Sequence, residues 1–192
     1  MAHLAPRRPA YEQRFAVVDV ETTGFSHLRD RVVEMACVIL DGGHIVDTWS
    51  SLVNPEIPIP GFATAVHGIS DEDVRDAPLF PEAQAAIARR CAGATVVAHN
   101  LAFDIGFLPA LSTRPTVCSL RLARQAFPNA PNHKNQTLRH YLSIDRDPAL
   151  EGATAHRALG DALVTASILL RCLKRLEPAP KARARSRSLI KA

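Results

Sequence analysis

Three short acidic clusters, each beside apolar or small residues, constrain most strongly what this chain can fold into. They occupy residues 19–25, 99–104 and 156–161. A fold that unites them brings together four carboxylates from separate structural elements, those of Asp19, Glu21, Asp104 and Asp161. Carboxylate oxygens arranged in this way can hold two divalent cations against a phosphodiester. The pattern therefore indicates a metal-dependent nuclease.

The length of the chain limits it to one domain. With 192 residues, 47% of them hydrophobic and 22% charged, the chain can bury one core but has no room for a second full domain. We expect a flexible N-terminal arm over residues 1–13, a folded domain over 14–177 and a basic, disordered tail over 178–192. The domain should therefore carry all three acidic clusters.

The cysteines and the apolar runs indicate the compartment. The chain contains four cysteines, which are far apart and form no CxxC pair: Cys37, Cys91, Cys118 and Cys172. This spacing predicts buried free thiols, and neither a zinc site nor a disulfide framework. No apolar run resembles a signal peptide or approaches membrane-spanning length. We therefore expect a cytoplasmic protein with no membrane partner.

The net charge of +4 does not by itself indicate nucleic-acid binding. Residues 181–192 contain five basic side chains and no acid, which leaves 18 basic and 19 acidic groups in the other 180 residues, a net charge of −1. Two bound divalent cations would bring this body to about +3. Bulk charge is therefore weak evidence either for or against a polyanionic substrate.

The hydrophobic pattern predicts an α/β fold. Apolar, β-branched runs predict strands at 15–20, 32–40 and 44–53, the last two joined by a tight turn at residues 41–43, in an antiparallel meander. Residues 54–61 resemble an extended loop and residues 70–73 a capped short helix. Later strands are predicted at 95–98 and 116–119, alternating with helices at 81–91, 100–111, 120–127, 137–142 and 158–176. This order indicates a sheet with both parallel and antiparallel pairs.

The clusters can be placed on these elements. Because side chains alternate along a strand, Asp19 and Glu21 should point to the same face at the end of a central strand. Asp104 should face inward one turn after Asn100, the predicted N-cap of its helix. Asp161 should lie in the first turn of the last helix. His156, five residues earlier, should stand on the preceding loop and lean over the metals.

Each signal alone has a simpler explanation. An Asp-x-Glu pair is often a solvated strand end, and Asp104 or Asp161 could merely complement a helix dipole. His156 alone could be a surface or capping histidine, and His99 a packed core histidine. The order and spacing of all the clusters together favour a catalytic site over these separate explanations.

The three clusters resemble the three exonuclease motifs of the DEDD superfamily, in the histidine-containing, DnaQ-like branch that includes the epsilon proofreading subunit of bacterial DNA polymerase III. The resemblance spans roughly residues 14–176 and includes Val66-His67-Gly68-Ile69 and the run 119–124. The branch with a catalytic tyrosine would need tyrosine at position 157, where this chain has Arg157. The resemblance implies an RNase H-like fold, with a mixed five-stranded β-sheet flanked by α-helices, and 3′→5′ exonuclease activity that releases nucleoside 5′-monophosphates.

The same resemblance assigns roles to residues. Asp19, Glu21 and Asp161 would bind one Mg²⁺ or Mn²⁺, Asp19 and Asp104 would bind a second, and His156 would be the general base. Residues expected to contact substrate are Thr22, Thr23, Gly24, Phe25, His67, Asn100 and Phe103. For Phe25, Phe103 and Phe62, stacking on the last bases and packing in the core are equally compatible with the sequence.

The partners and the pathway remain open at this level. The resemblance implies single-stranded DNA 3′ ends as substrate, with RNA as an alternative because no motif recognises a 2′-hydroxyl. A DNA polymerase III-type partner fits a proofreading role, and a free-standing enzyme of repair or turnover fits equally well. A homodimer is compatible with the sequence. From a different class of protein, a catalytically silent nucleic-acid-binding module of the same fold is the alternative.

Overall fold

The computed structural model describes residues 13–147, 150 and 154–177. The expected arm, apart from Gln13, and the expected basic tail lie outside the described residues. The strands within the described part are β1 Phe15–Thr22, β2 Val32–Asp41, β3 His44–Leu52, β4 Thr95–Ala98 and β5 Thr116–Cys118. The helices are α1 Gly61–His67, α2 Asp71–Val74, α3 Phe80–Arg90, α4 Leu101–Phe107, α5 Ser119–Ala126, α6 Asn135–Tyr141 and α7 Ala158–Leu176. None of these helices combines the length and the apolarity needed to cross a bilayer.

The described strands form one five-stranded mixed sheet, as predicted, and their order is β3-β2-β1-β4-β5. The first three strands pair antiparallel, whereas β4 pairs parallel with both β1 and β5. The β2–β3 turn depends on Gly42 and Gly43, whose φ angles of 57° and 79° are accessible to glycine at little cost. β1 is the central strand, so its C-terminal end has β2 on one side and the β4 side of the sheet on the other.

Alternation along β1 distributes its side chains between two cores. Ala16, Val18 and Val20 pack with the α3 and α4 side of the sheet. Phe15 and Val17 pack with α7 on the opposite side. Asp19 and Glu21 continue the second series, so the strand period directs both carboxylates toward the face that α7 covers.

Two helix predictions differ from the structure. Residues 61–67 form α1, which the sequence did not indicate, because its seven residues contain no long apolar period and begin with glycine after Pro60. The helix expected over 100–111 ends at Phe107, and residues 109–111 form a separate 3-10 turn. Pro109 explains the break, since a proline displaces the preceding residue, here Leu108, from helical backbone angles.

Candidate active site

Three of the four predicted carboxylates meet at the end of β1. Asp19, Glu21 and Asp161 each offer an oxygen atom, and these atoms lie within 4.8 Å of one another. Asp161 stands in the first turn of α7, which crosses the same face of the sheet. The set could hold a divalent cation, since three hard carboxylate oxygens converge at one point.

Asp104 approaches the cluster from α4. It is 4% exposed and acts on Asp19 electrostatically, although it lies outside the group of three that converges within 4.8 Å in the described chain. The inward orientation predicted for Asp104 is therefore confirmed. Asn100 occupies the predicted N-cap position, but its side chain makes no capping hydrogen bond and is left exposed at the site.

The carboxylates disfavour one another's charges. Burial, together with the nearby Asp104, Asp161 and Glu21, holds the pKa of Asp19 well above its usual value. Burial followed by repulsion from Asp161 and Glu34 raises the pKa of Glu21 to about 8. Burial also raises the pKa of Asp104 to about 8 and raises that of Asp161. A bound divalent cation would neutralise these crowded carboxylates, so their raised pKa values are what a cation-binding site should show in the absence of a cation.

His156 lies on the loop before α7, as predicted, and is exposed. Its φ angle of 57° is uncommon for a residue with a side chain. Its backbone N–H donates to Asp161 Oδ2 at 3.2 Å, which couples the loop to the carboxylate cluster. A strained residue that is held beside a catalytic constellation in this way is typical of a functional position.

The turn after Glu21 is tightly built. The Thr22 hydroxyl donates to the Gly24 carbonyl at 2.5 Å, and Thr23 Oγ1 accepts from the Arg31 N–H at 2.9 Å. A Cβ on Gly24 would lie 2.6 Å from the Asp30 carboxylate, so a side chain there would displace this carboxylate from its hydrogen bond with the Ser26 N–H. Both hydroxyls that were expected to bind substrate therefore make hydrogen bonds within the turn, and these bonds fix the shape of the turn beside the carboxylates.

The predicted aromatic residues lie at the edge of the cluster. Phe25 is 84% exposed, and its ring centroid lies 6.5 Å from that of Phe103. Phe103 in turn contacts Phe107 at 5.1 Å between centroids, which anchors it to the core. The Phe25 ring is therefore in contact with Phe103 and still faces solvent, and a residue that stacks on a nucleic-acid base must face solvent.

His67 lies at the end of α1 and is only 5% exposed. Its Nδ1 accepts from the Ile69 N–H at 3.0 Å, whereas Nε2 is buried and makes no hydrogen bond to any described residue. Burial lowers the pKa of His67, which favours the neutral ring with its proton on Nε2. A backbone interaction with Thr22 opposes this shift, so the buried ring lies against the turn after Glu21, and its contact with substrate stays a prediction.

Three residues of the site carry no prediction from the sequence: Glu34, Gln136 and Gly160. Glu34 is a 4% exposed carboxylate within β2, opposite Glu21, and it pairs with Arg157 and accepts from the Ala158 N–H at 2.9 Å. Gln136 donates to Asp161 Oδ1 at 2.5 Å. The signal for Glu34 was its charge inside an apolar strand, because a buried carboxylate needs a partner.

Gly160 permits close approach of the His156 loop to α7. A Cβ at this position would lie 2.0 Å from the Thr154 carbonyl oxygen. Glycine is therefore required where the loop packs against the first turn of the helix. The only signal in the sequence was a glycine inside a predicted helix, one residue before Asp161.

Comparison with known proteins identifies the family. Residues 16–169 match the model of the RNase T-type exonuclease family. The chain is 35% identical over 173 residues to DNA polymerase III PolC-type of Caldanaerobacter subterraneus, covering 86% of this chain and 12% of that protein. It is 34% identical to 3′-5′ exonuclease DinG of Bacillus subtilis, covering 88% and 18%. The chain thus spans a small part of the length of these relatives.

Two solved structures share the fold. Exonuclease X in complex with 5′ overhanging duplex DNA has a TM-score of 0.70 and 31% identity, over 83% of this chain and 91% of that chain. The nuclease domain of 3′hExo, a DEDDh family member bound to rAMP, has a TM-score of 0.69 and 20% identity, over 86% and 94%. The chain belongs to the RNase T-type exonuclease family and has the RNase H-like fold of these exonucleases.

Proposed function

We propose that this protein is a metal-dependent 3′→5′ exonuclease that hydrolyses single-stranded or frayed DNA 3′ ends to nucleoside 5′-monophosphates. The observation that carries the proposal is the convergence of Asp19, Glu21 and Asp161 within 4.8 Å beside the His156 loop. Exonuclease X, at 31% identity, is described in complex with DNA, which favours DNA over RNA as substrate.

The donor set fits two divalent cations, which we propose to be Mg²⁺ or Mn²⁺. Asp19, Glu21 and Asp161 would hold the first, and Asp19 with Asp104 the second. When bound, such cations lower the pKa of an attacking water and stabilise charge on the leaving 3′-oxygen. The raised pKa values of the four carboxylates support this assignment, because a cation offsets the repulsion that raises them.

The remaining chemistry falls to the side chains of the chain. His156 takes the proton from the water whose oxygen attacks phosphorus, and the bond from phosphorus to the 3′-oxygen of the preceding nucleotide breaks. The products are a nucleoside 5′-monophosphate and a strand shortened by one residue with a free 3′-hydroxyl. An exposed imidazole on a loop can approach this water and then release its proton to solvent.

Substrate positioning involves the edge of the cluster. Phe25 stacks on a terminal base without choosing among bases, since every base has a π-face. The buried Nε2–H of His67 donates to the terminal nucleotide, which supplies its missing partner. Asn100 offers an uncommitted amide, and Thr22, Thr23 and Gly24 form the turn that receives the 3′-terminal sugar.

The test is a time course on a 5′-labelled single-stranded DNA oligonucleotide with Mg²⁺, beside the same sequence as RNA and as a mismatched primer on a template. We expect a ladder that shortens from the 3′ end on DNA, and no ladder from Asp19→Asn. Faster shortening of RNA would assign the protein to RNA trimming. If the parent protein with bound metal produces no ladder on any of the three substrates, the alternative holds that the protein is a catalytically silent nucleic-acid-binding module.

The cellular role is a separate proposal. Relatives named DNA polymerase III PolC-type, and a DNA polymerase III subunit epsilon-like protein of Rhodobacter capsulatus that is 36% identical over 91% of this chain, favour work beside a replicative polymerase in the cytoplasm. A preference for the mismatched primer end would support proofreading, whereas equal rates on free single strands would support repair or turnover. Sedimentation at micromolar concentration tests whether the protein forms the homodimer with which the sequence is compatible.

A further inference from the structure

An open cleft of about 810 Å³ begins at the catalytic histidine and runs between α5 and the loop before α6. Phe25 and His156 line its catalytic end, and Arg124, Asn132 and Lys134 line its other wall. None of the described residues that line it is acidic. The cleft therefore connects His156 with two basic side chains and has no acidic residue in its described lining.

The two cations of this wall differ from Arg157 and Arg139, two arginines near the carboxylate cluster that are paired. Arg157 and Arg139 pair with Glu34 and Asp145, whereas the side chains of Arg124 and Lys134 make no hydrogen bond or ion pair within the described residues. Both are exposed. Two unpaired cations in one cleft repel each other unless an anionic ligand lies between them or contacts both.

The wall that carries Lys134 is anchored to the fold. His99 directly follows β4; its Nε2–H donates to the His133 carbonyl at 2.8 Å, and its Nδ1 accepts from the Ser119 hydroxyl at 2.9 Å. The His133 ring in turn contacts the Phe127 carbonyl at 3.0 Å. These contacts attach both α5 and the loop before α6 to the end of β4, next to Asn100. The elements that position the candidate active site therefore also position the two cations.

The chemistry of an exonuclease restricts what these cations can bind. The terminal nucleotide contributes only the scissile phosphate, which the carboxylate cluster and its cations engage. Any further phosphate that the protein contacts must lie on the 5′ side of that bond, in the strand that is retained. A basic groove combined with an exposed aromatic ring is the arrangement that binds single strands by backbone and base face.

We infer that this cleft is an upstream subsite for single-stranded nucleic acid, in which Arg124 and Lys134 bind phosphates on the 5′ side of the scissile phosphate. This inference rests on the proposed exonuclease function, because the 3′→5′ direction of that activity decides that the retained strand lies on the 5′ side of the scissile phosphate. The subsite holds the retained strand while the 3′-terminal nucleotide is removed, and it recognises charge and spacing without recognising sequence.

The test compares Arg124→Ala, Lys134→Ala and the double variant with Arg121→Ala. Arg121 is a matched control because it is an exposed arginine on the same helix, α5, and does not line the cleft. Two substrates separate the subsite from the chemistry. A single-stranded DNA 12-mer reaches the cleft, whereas a dinucleoside monophosphate contains the scissile phosphate alone.

We expect the double variant to lower kcat/KM on the 12-mer about tenfold or more at low salt, while the rate on the dinucleoside monophosphate and the Tm stay unchanged. The slope of log(kcat/KM) against log salt should become shallower by about 1.4, because each lost phosphate contact on a single strand removes about 0.7. An unchanged slope, or an equal loss in Arg121→Ala, would overturn the inference.

Fluorescence anisotropy of a labelled 12-mer provides a readout that does not depend on hydrolysis. If the parent cleaves neither substrate but the double variant still binds the 12-mer more weakly and with a shallower salt slope, the proposed function fails and the binding subsite stands. If the parent cleaves both substrates and the double variant binds and cleaves like the parent, the subsite fails and the function stands.

Discussion

Arg157 donates two hydrogen bonds to the buried carboxylate of Glu34, from Nε at 3.0 Å and from Nη2 at 2.6 Å. The pair joins the loop that carries His156 to β2, and the same carboxylate also accepts from the first N–H group of α7, that of Ala158. The residue beside the proposed base is thus attached to the strand beside the proposed metal ligands. Arg157 and Glu34 are positioning residues.

The fork geometry of Arg157 should matter more than its charge. We expect Arg157→Lys to fold with a small loss of Tm but to lower kcat about tenfold or more at unchanged KM, because lysine keeps the charge and loses the bidentate contact. Arg157→Ala should also lower Tm, since it leaves Glu34 buried without its partner. Steady-state kinetics with thermal melts check both. A rise in KM with kcat intact would contradict the positioning role.

Removal of the base should separate chemistry from binding. His156→Ala should lower kcat about 10²- to 10⁴-fold, the usual contribution of a general base, while the Kd for single-stranded DNA stays within about twofold. His44→Ala, an exposed histidine on β3, is the matched control and should behave as the parent. Equal kcat values in His156→Ala and the parent would exclude His156 as the base.

Metal dependence should follow the ligand set. Chelation should stop hydrolysis, and Mg²⁺ or Mn²⁺ should restore it, whereas Ca²⁺ should not, because its longer and more flexible coordination does not reproduce the geometry. Asp19→Asn should abolish turnover and the rise in Tm on adding Mn²⁺, since Asp19 is expected to contact both cations. Turnover with Ca²⁺ at the rate seen with Mg²⁺ would contradict the two-cation arrangement.

The crowded carboxylates predict how stability depends on pH without metal. The pKa values of Glu21 and Asp104, raised to about 8, exceed those of unfolded acids, so the folded state binds more protons between about pH 4 and 8. Their contribution to stability is complete below pH 4 and is lost as pH rises through 8. Melts in chelator should show this decline, and Asp104→Asn should flatten it. The same slope in Asp104→Asn and the parent would contradict the shift.

Gly160 should tolerate no side chain. Gly160→Ala places a Cβ 2.0 Å from the Thr154 carbonyl oxygen, so either the helix or the His156 loop must move. We expect a stability loss of about 1–3 kcal/mol and a lower kcat. Gly61→Ala is the control, because a Cβ on Gly61, at the start of α1, would meet no atom within 4 Å and the residue has no positive φ angle. Denaturant melts and kinetics check the pair, and parent-like kcat in Gly160→Ala would show that the loop adapts.

The five strands and most helices could be predicted from local signals. The apolar runs and the Asp41-Gly42-Gly43 turn determine the meander, and the alternation along β1 places Asp19 and Glu21 on one face. α1 was not predicted because seven residues give too little periodicity. The helix predicted over 100–111 ends at Phe107 because of Pro109. These errors concern single turns, where tertiary contacts outweigh weak local preferences.

By itself the sequence determined which residues are expected to act as ligands and base, because their identities, order and spacing are properties of the chain. Only the tertiary structure decided which side chains hold these residues in place. Glu34 is far from Arg157 in sequence, Thr154 limits Gly160 by contact, and Arg124 and Lys134 share a cleft through the His99 hydrogen bonds. Packing between distant segments brings Glu34 to Arg157, and the other two relationships depend on how a loop folds back against neighbouring elements. No local pattern encodes the distance between two atoms that only folding brings together.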